Sequence, residues 1–464
     1  MNIAHNSVSP PPAKPRGTFF GEPRALGYLA FTEAWERFSY YGMTAIMVLY
    51  MSEALFLPGH VEHVAGFGAF RAMLESVFGP MSRLALASQV YGIYTAFVYF
   101  TPVLGGFIAD RWLSRRTAVT IGAISMSAGH VAMAFDASFL LAIALLIVGC
   151  GLLKGNISTQ VGTLYAPEDG AGRTRGFSIF SIGINVGAVA GPLLCGLLAQ
   201  LFGWHAGFGL AGILMLLGLA TYLIGYRELG DTVRAVRKTD VPDAPLDGMQ
   251  WRIVACLFAV MALTIFQSIA YYQNSNIALI WIDNNVDLDL LGFHIPVAWF
   301  NSIDPLVSIV AVPFLLALWR RQGAGRGEPG EVAKIGTGAW IACAANVLLV
   351  VGCALSKRVP VLVPVAYDVL LGVGFLYYWP TLLALVSRAA PPRVRATLMG
   401  TVFLTLFIAN FIVGWLGGLY ERMSPLEFWA VHAAIAAMGG MLALLFGRRL
   451  ELRLAPSEKQ AADS

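Results

Sequence analysis

The sequence predicts an all-α membrane protein with twelve transmembrane helices in two bundles of six. Of its 464 residues, 57% are hydrophobic and 12% are charged, whereas soluble domains typically carry about 25% charged residues. The mean hydropathy is +0.69. Twelve apolar windows are long enough to cross a bilayer, which takes about 20 residues. A polar segment separates the first six windows from the last six.

The predicted spans lie between two polar tails and are divided by a polar linker. A polar, Pro-rich start followed by a long apolar segment does not fit a cleavable signal peptide. The predicted organisation is a tail (1–26), an N-terminal bundle (27–226), a linker (227–250), a C-terminal bundle (251–447) and a second tail (448–464). The spans are 27–52, 84–111, 117–136, 138–164, 174–202, 207–226, 251–282, 295–319, 335–355, 360–388, 395–421 and 426–447.

Lysine and arginine are distributed unequally between the two sides of this topology. Of the 31 residues, 24 fall on the side that carries both termini, five fall on the other side, and two lie within spans. Because cytoplasmic loops are enriched in these residues, we expect both termini in the cytoplasm and the protein in the inner (plasma) membrane. The basic residues are spread along the chain, so the net charge of +4 does not indicate nucleic acid as a partner.

Three charged residues interrupt the first predicted span. Glu33, Glu36 and Arg37 share a helical face with Tyr40 and Thr44, because residues three and four apart are neighbours on a helix. Charges at this depth are costly and usually functional. Arg37 can neutralise one carboxylate and leave the other able to bind a proton. The alternative is a fixed buried salt bridge that holds this helix to a neighbour.

A fourth charge, Lys154, lies deep in the fourth predicted span. An acidic partner is expected for it, with Glu33 or Glu36 as candidates in the same half. The alternative is a lysine whose ammonium extends along the apolar surface to the interface, although apolar sequence continues on both sides.

The connection after the second span reads Gly-Gly-Phe-Ile-Ala-Asp-Arg-Trp-Leu-Ser-Arg-Arg (105–116). It resembles the loop motif of the major facilitator superfamily, with Ser114 where that superfamily usually has glycine. The resemblance implies roles for Gly105, Asp110, Arg111 and Arg115, while an ordinary basic cytoplasmic loop is the alternative.

Several segments together resemble the proton-dependent oligopeptide transporter family, and the chain is identified as an atypical, bacterial-type member. These are Glu-x-x-Glu-Arg-Phe-Ser-Tyr-Tyr-Gly (33–42), Lys-x-Asn-Ile-Ser (154–158), Phe-Ser-Ile-Gly-Ile-Asn-Val-Gly (180–187), Ile-Pro-Val-Ala-Trp-Phe-Asn-Ser-Ile-Asp-Pro (295–305) and the region from Pro380 to Gly400. The resemblance implies proton coupling at Glu33, Glu36, Arg37 and Lys154. It implies substrate binding by Tyr40, Tyr41, Tyr99, Asn185, Gln273 and Ser275.

The chain departs from the family pattern at the substrate site. Thr44 replaces an arginine that pairs with the peptide carboxylate, and Phe375 replaces a glutamate that faces the peptide amino group. Tyr272 stands where an acid is common. The linker is too short for the two extra helices of many bacterial members. The aromatic residues Tyr272, Phe375 and Trp379 form either a wall of the substrate pocket or ordinary packing between helices.

Asp304 stands where the family usually has asparagine before a proline. We hypothesise that it takes over the role of the missing glutamate and pairs with Lys154 or a substrate ammonium. The alternative is an N-terminal cap of a helix, because aspartate before proline is common there.

The expected function is proton-coupled import of di- or tripeptides by alternating access, with protons, a small peptide and the lipid bilayer as partners of a monomer. The alternatives are proton-coupled transport of another small solute, such as an amino acid derivative or organic anion, and a peptide sensor without transport. No catalytic residues, cofactor or metal site is expected, because no phosphate-binding loop, metal-ligand spacing or nucleophile–base pair is found.

Overall fold

The computed structural model describes residues 18–166, 169–229, 245–325 and 327–455, which are almost entirely helical. Connections of varying length join the helices, and three pairs of two-residue strands lie outside them, one before the first helix and two in the connections. The helices of this described part are α1 (Arg24–Tyr50), α2 (Phe67–Phe78), α3 (Arg83–Arg111), α4 (Arg115–Ala132), α5 (Phe139–Thr163), α6 (Gly170–Phe202), α7 (Trp204–Gly225), α8 (Gly248–Tyr272), α9 (Ile277–Asn285), α10 (Ile303–Gly325), α11 (Glu331–Leu355), α12 (Leu362–Ala389), α13 (Arg395–Gly417) and α14 (Pro425–Leu454).

Each of the twelve predicted spans corresponds to a helix or a helix pair. Ten helical segments of the described chain are long and apolar enough to cross a membrane. The other two spans are α1, which carries Glu33, Glu36 and Arg37, and α4, which has only 18 residues. Most of the predicted N-terminal tail, the centre of the linker (230–244) and the end of the C-terminal tail (456–464) lie outside the described residues.

Two predicted spans differ from a continuous helix. The span at 251–282 is interrupted by a 3₁₀ turn, Gln273–Ser275, after which Asn276 is non-helical and α9 begins. The span at 295–319 starts with a 3₁₀ segment, Val297–Ser302, before α10. Hydropathy averages over such breaks, whereas non-helical backbone at membrane depth is tolerated only where it is buried in protein or lines a cavity.

The connection after the first span contains the short helix α2, which the hydropathy windows do not predict. Phe67 and Leu74 of this helix are buried, and Arg71 pairs with Glu75 one turn later, at 2.9 Å. The hydrogen bonds from Arg71 and from the Met81 backbone hold the pKa of the Glu75 carboxyl below its usual range. This connection is therefore an ordered part of the fold.

The first and sixth helices pack closely, which fixes one wall of the N-terminal half (α1–α7). A Cβ placed on Gly187 of α6 would lie 2.3 Å from the Ala34 carbonyl oxygen of α1. Only glycine allows this approach, and it brings α6 against the charged segment of α1.

In the described part of the chain, the hydrogen bonds between the two halves, α1–α7 and α8–α14, are concentrated toward one end of the bundle. We call it the loop end, because the connections 51–82 and 286–302 lie there. Among the described residues, the hydrogen bonds that cross between the halves lie at the central cavity or on its loop side. They join Ser82 to Glu421, Ser88 to Gly414 and Asn276, Gln200 to His294, Trp299 to Leu193, Ser302 to Val189, and Tyr272 to Tyr99.

Candidate functional site

A cavity of about 240 Å³ lies between the two halves. Side chains from helices of both halves line it. They are Tyr40, Tyr41, Thr44, Tyr91, Thr95, Tyr99, Ile184, Asn185, Ala188, Tyr271, Tyr272, Asn274, Ser275, Asn301, Asp304, Pro305, Ser308, Phe375 and Asn410.

A buried charge cluster lies one turn from the cavity on α1. Arg37 Nε lies 2.9 Å from Glu33 Oε1 and 2.7 Å from Glu36 Oε2. All three side chains are at most 4% exposed. Glu33 Oε2, Glu36 Oε1 and Arg37 Nη2 are buried without a hydrogen-bond partner. One guanidinium thus faces two carboxylates, which leaves one negative charge uncompensated within the cluster.

Lys154 on α5 contacts aromatic rings of the cavity wall. Its Nζ lies 4.9 Å from the ring centre of Tyr40 and 5.3 Å from that of Tyr99. Within the described chain, no carboxylate lies within ion-pair distance of this ammonium. Cation–π contacts can stabilise a lysine in such a place. The structure therefore puts Lys154 beside the cavity, with tyrosine rings where an acidic partner was expected.

Asp304 lines the cavity from the C-terminal half. It lies in the first turn of α10, and the Tyr271 hydroxyl on α8 donates a hydrogen bond to its Oδ2 at 2.5 Å. Its Oδ1 is buried and has no hydrogen-bond partner. Among the residues that line the cavity in the described part of the chain, Asp304 is the one with a charged side chain.

Aromatic residues form the remaining wall. Tyr271 and Phe375 stack with ring centres 5.1 Å apart, and the Tyr272 hydroxyl donates to the Tyr99 hydroxyl of the opposite half at 3.1 Å. Trp379 stacks on Phe375 at 6.4 Å but lies outside the cavity lining. These aromatic residues of α8 and α12 thus form one group of ring contacts that lines the cavity through Tyr271, Tyr272 and Phe375.

All of the candidate substrate residues except Gln273 and Trp379 line the cavity. The Gln273 amide donates to the Val413 carbonyl oxygen at 3.2 Å and is fully buried. Sequence reasoning did not select several neutral polar lining residues. Of these, Asn410 could have been identified from the sequence, because it is an amide within an otherwise apolar span. The others are Tyr91, Thr95, Asn274, Asn301 and Ser308.

The connection between α3 and α4 lies at the opposite end from the loop end. Arg115 pairs with Asp110 at 2.9 Å, and Arg111 lies over the Phe107 ring at 5.7 Å. A Cβ on Gly105 would lie 2.0 Å from the Gly151 carbonyl oxygen of α5. This segment therefore ties α3 to its neighbours, with its ion pair on the surface.

The family profile described as the POT family matches residues 116–235 and 235–429, which is more than half of the chain. An uncharacterised transporter of Bacillus subtilis (strain 168), YclF, is 30% identical, and the alignment covers 93% of this chain and 95% of the relative. The chain belongs to the POT family. Another relative of this family is the di-/tripeptide transporter of Lactococcus lactis subsp. cremoris, which is 27% identical over 93% of this chain and 96% of its own.

A solved POT structure supports the same assignment in three dimensions. The crystal structure of a peptide transporter POT in complex with sulfate matches with a TM-score of 0.83 and 27% identity, over 96% of this chain and 98% of that one. The predicted major facilitator superfamily fold, an all-α membrane protein of twelve transmembrane helices in two six-helix bundles, is confirmed. The chain is a multi-pass membrane transporter and not an enzyme.

Proposed function

We propose that this POT family member is a proton-coupled symporter that imports di- and tripeptides by alternating access. It would act as a monomer in the bacterial inner membrane, with both termini in the cytoplasm. Relatives described as peptide transporters support the substrate class, and the lysine and arginine distribution supports the orientation.

The observation that carries the coupling proposal is the α1 cluster, in which Glu33 and Glu36 share Arg37 beside the cavity. Two buried carboxylates with one cation are more stable when one of them binds a proton. A proton on Glu33 or Glu36 weakens the hold of the remaining charge on Arg37. Protonation of one carboxylate therefore changes the net charge of the cluster from −1 to 0 and leaves one balanced ion pair.

The loop end is closed in this structure, and the Arg37 ion pairs are formed. In the proposed cycle, protons and substrate enter from the loop side after protonation of the cluster, and the halves rock about the cavity. Release of the protons and the substrate on the side that carries the termini restores the ion pairs of Arg37. Lys154 lies beside Tyr40 and Tyr99. Its ammonium would interact electrostatically with charges in the cavity and with the α1 cluster, and would link the two.

The cavity favours a solute with an ammonium group. Asp304 supplies a negative charge, and Tyr271 and Phe375 supply ring faces on which a cation can lie. Thr44 supplies no cation for a carboxylate. A second candidate, an amino acid derivative with a free amine, is favoured by this charge pattern over an organic anion.

Uptake into proteoliposomes tests the proposal. We expect radiolabelled dialanine to accumulate when the outside is acidic and the inside alkaline, with proton influx that depends on dialanine. Competition by N-acetyl-dialanine and by dialanine amide then reports which end is recognised. We expect the amide to compete nearly as well as dialanine and the acetylated peptide to compete poorly.

Empty liposomes and a collapsed pH gradient serve as controls. Dialanine binding without uptake or exchange would identify a sensor instead of a transporter. Uptake that ignores the pH gradient would contradict proton coupling, and competition by amino acid derivatives but not peptides would establish the second candidate.

A further inference from the structure

Asp304 has a second buried carboxylate as a neighbour. Asp368 on α12 is 3% exposed and its Oδ2 has no hydrogen-bond partner. It does not line the cavity. A Cβ on Gly372, one turn along the same face of α12, would lie 2.9 Å from Asp304 Oδ1. The missing side chain at Gly372 thus lets Asp304 lie against α12, one helical turn from Asp368.

The surroundings of the two carboxylates contain hydroxyl groups. Tyr271 on α8 donates to Asp304, and Tyr41 on α1 lines the same cavity as Asp304. Tyr367 adjoins Asp368, and its hydroxyl is buried without a partner. Among the described residues, no lysine, arginine or histidine forms an ion pair with either carboxylate.

Two buried carboxylates without a cation cannot both remain charged at an acceptable energetic cost. A hydrogen bond donated to a carboxylate favours its charged form, so the Tyr271 contact favours the charge on Asp304. Asp368 is deeper and receives no such hydrogen bond in the described structure. The proton is therefore expected on Asp368 and the charge on Asp304, which faces the cavity.

We propose that Asp304 and Asp368 form a second coupling site that holds a proton on Asp368 and the substrate ammonium on Asp304 at the same time. This inference rests on the proposed symport. With Asp304 alone, a proton and an ammonium would compete for one carboxylate. With two carboxylates, the proton stays on Asp368 while the ammonium binds the charged Asp304. The site is then neutral, and both cations are released together when it opens to the other side.

The first test compares Asp368→Asn with the wild type in proteoliposomes. The amide imitates a protonated carboxyl but cannot release a proton. We expect the rate of dialanine exchange across the membrane to stay within about twofold of wild type. The number of protons carried per dialanine is measured from the membrane potential at which net dialanine flux stops, and we expect it to fall by about one. Asp283→Asn, the same change at an exposed position on α9, should leave the ratio unchanged.

An unchanged ratio in Asp368→Asn would overturn the inference while leaving the proposed symport intact. If the wild type itself shows no proton coupling, both are wrong. Should Asp368→Asn fail to fold, infrared spectra of the wild type decide the matter. Dialanine binding should leave the D₂O-sensitive absorbance of a protonated carboxyl group in place, and loss of that absorbance on binding would overturn the second coupling site.

Discussion

At the residue scale, the site places Lys154 and Asp304 on opposite halves. The N-terminal half carries Lys154 and the cluster of Glu33, Glu36 and Arg37 next to the cavity, and the C-terminal half carries Asp304 at its surface. Charges in a low-dielectric interior interact strongly. A substrate ammonium at Asp304 would therefore change the balance that holds Lys154 among its tyrosines. Two substitutions test separate parts of this arrangement.

The first substitution is Glu36→Gln, which removes a carboxylate from the α1 cluster and leaves Glu33 and Arg37 as a balanced pair. Without a net negative charge, the cluster should no longer bind a proton. We expect pH-driven accumulation of dialanine to fall by roughly tenfold or more, a change of at least about 1.4 kcal/mol, while dialanine exchange persists. Glu53→Gln, the same change at an exposed position, is the control, and accumulation retained by Glu36→Gln would exclude this role.

The second substitution is Thr44→Arg, which introduces a cation at a cavity-lining position. A guanidinium there can form a charge-assisted hydrogen bond with the peptide carboxylate. We expect the preference for dialanine over dialanine amide to rise by roughly tenfold, about 1.4 kcal/mol, in competition assays. Thr44→Gln introduces a similar length without charge, so an equal gain in that variant would show that charge is not the cause.

At the element scale, interrupted helices and close helix contacts shape the cavity. The 3₁₀ turn between α8 and α9 brings Asn274 and Ser275 to the lining. Asn276 donates its amide hydrogen to Ser88 of the opposite half at 2.8 Å, which satisfies part of the polar surface at the break. On the other side, α6 approaches α1 where Gly187 lacks a side chain.

Gly187→Ala tests the contact between α6 and α1. The added methyl would overlap the Ala34 carbonyl group, and overpacking of this kind costs about 1–3 kcal/mol. We expect a lower unfolding temperature of the detergent-solubilised protein and slower dialanine uptake. In Gly209→Ala the new Cβ meets no atom within 4 Å, and that variant should be as stable as wild type or more stable. Equal stability of the two variants would contradict the packing argument.

At the scale of the whole molecule, the structure is the closed-loop-end state of a two-bundle transporter. The contacts that close it include hydrogen bonds between the halves, such as Trp299 to Leu193 and Ser302 to Val189. Hydrogen bonds of this kind contribute about 0.5–1.5 kcal/mol each. A small set of them can therefore close the loop end and still be broken in each cycle.

A disulfide between Gly196→Cys and Ala298→Cys tests whether this end must open. A Cβ on Gly196 would lie 2.5 Å from Ala298 Cβ, so a small adjustment would reach disulfide geometry. In a background without the five native cysteines, oxidation should abolish dialanine uptake and a reducing agent should restore it. The single-cysteine variants are the controls, and full uptake by the oxidised double variant would show that this contact need not open.

The sequence alone determined the membrane class, the twelve spans and the α1 cluster. These properties depend on composition and on spacing within one helix, and residues four apart such as Glu33 and Arg37 meet in any helix. The tertiary structure decided which side chains meet across helices. The approach of Asp304 to α12, the ring contacts of Lys154 and the place of Asn410 in the cavity depend on how separate helices pack, and no spacing along the chain encodes that packing.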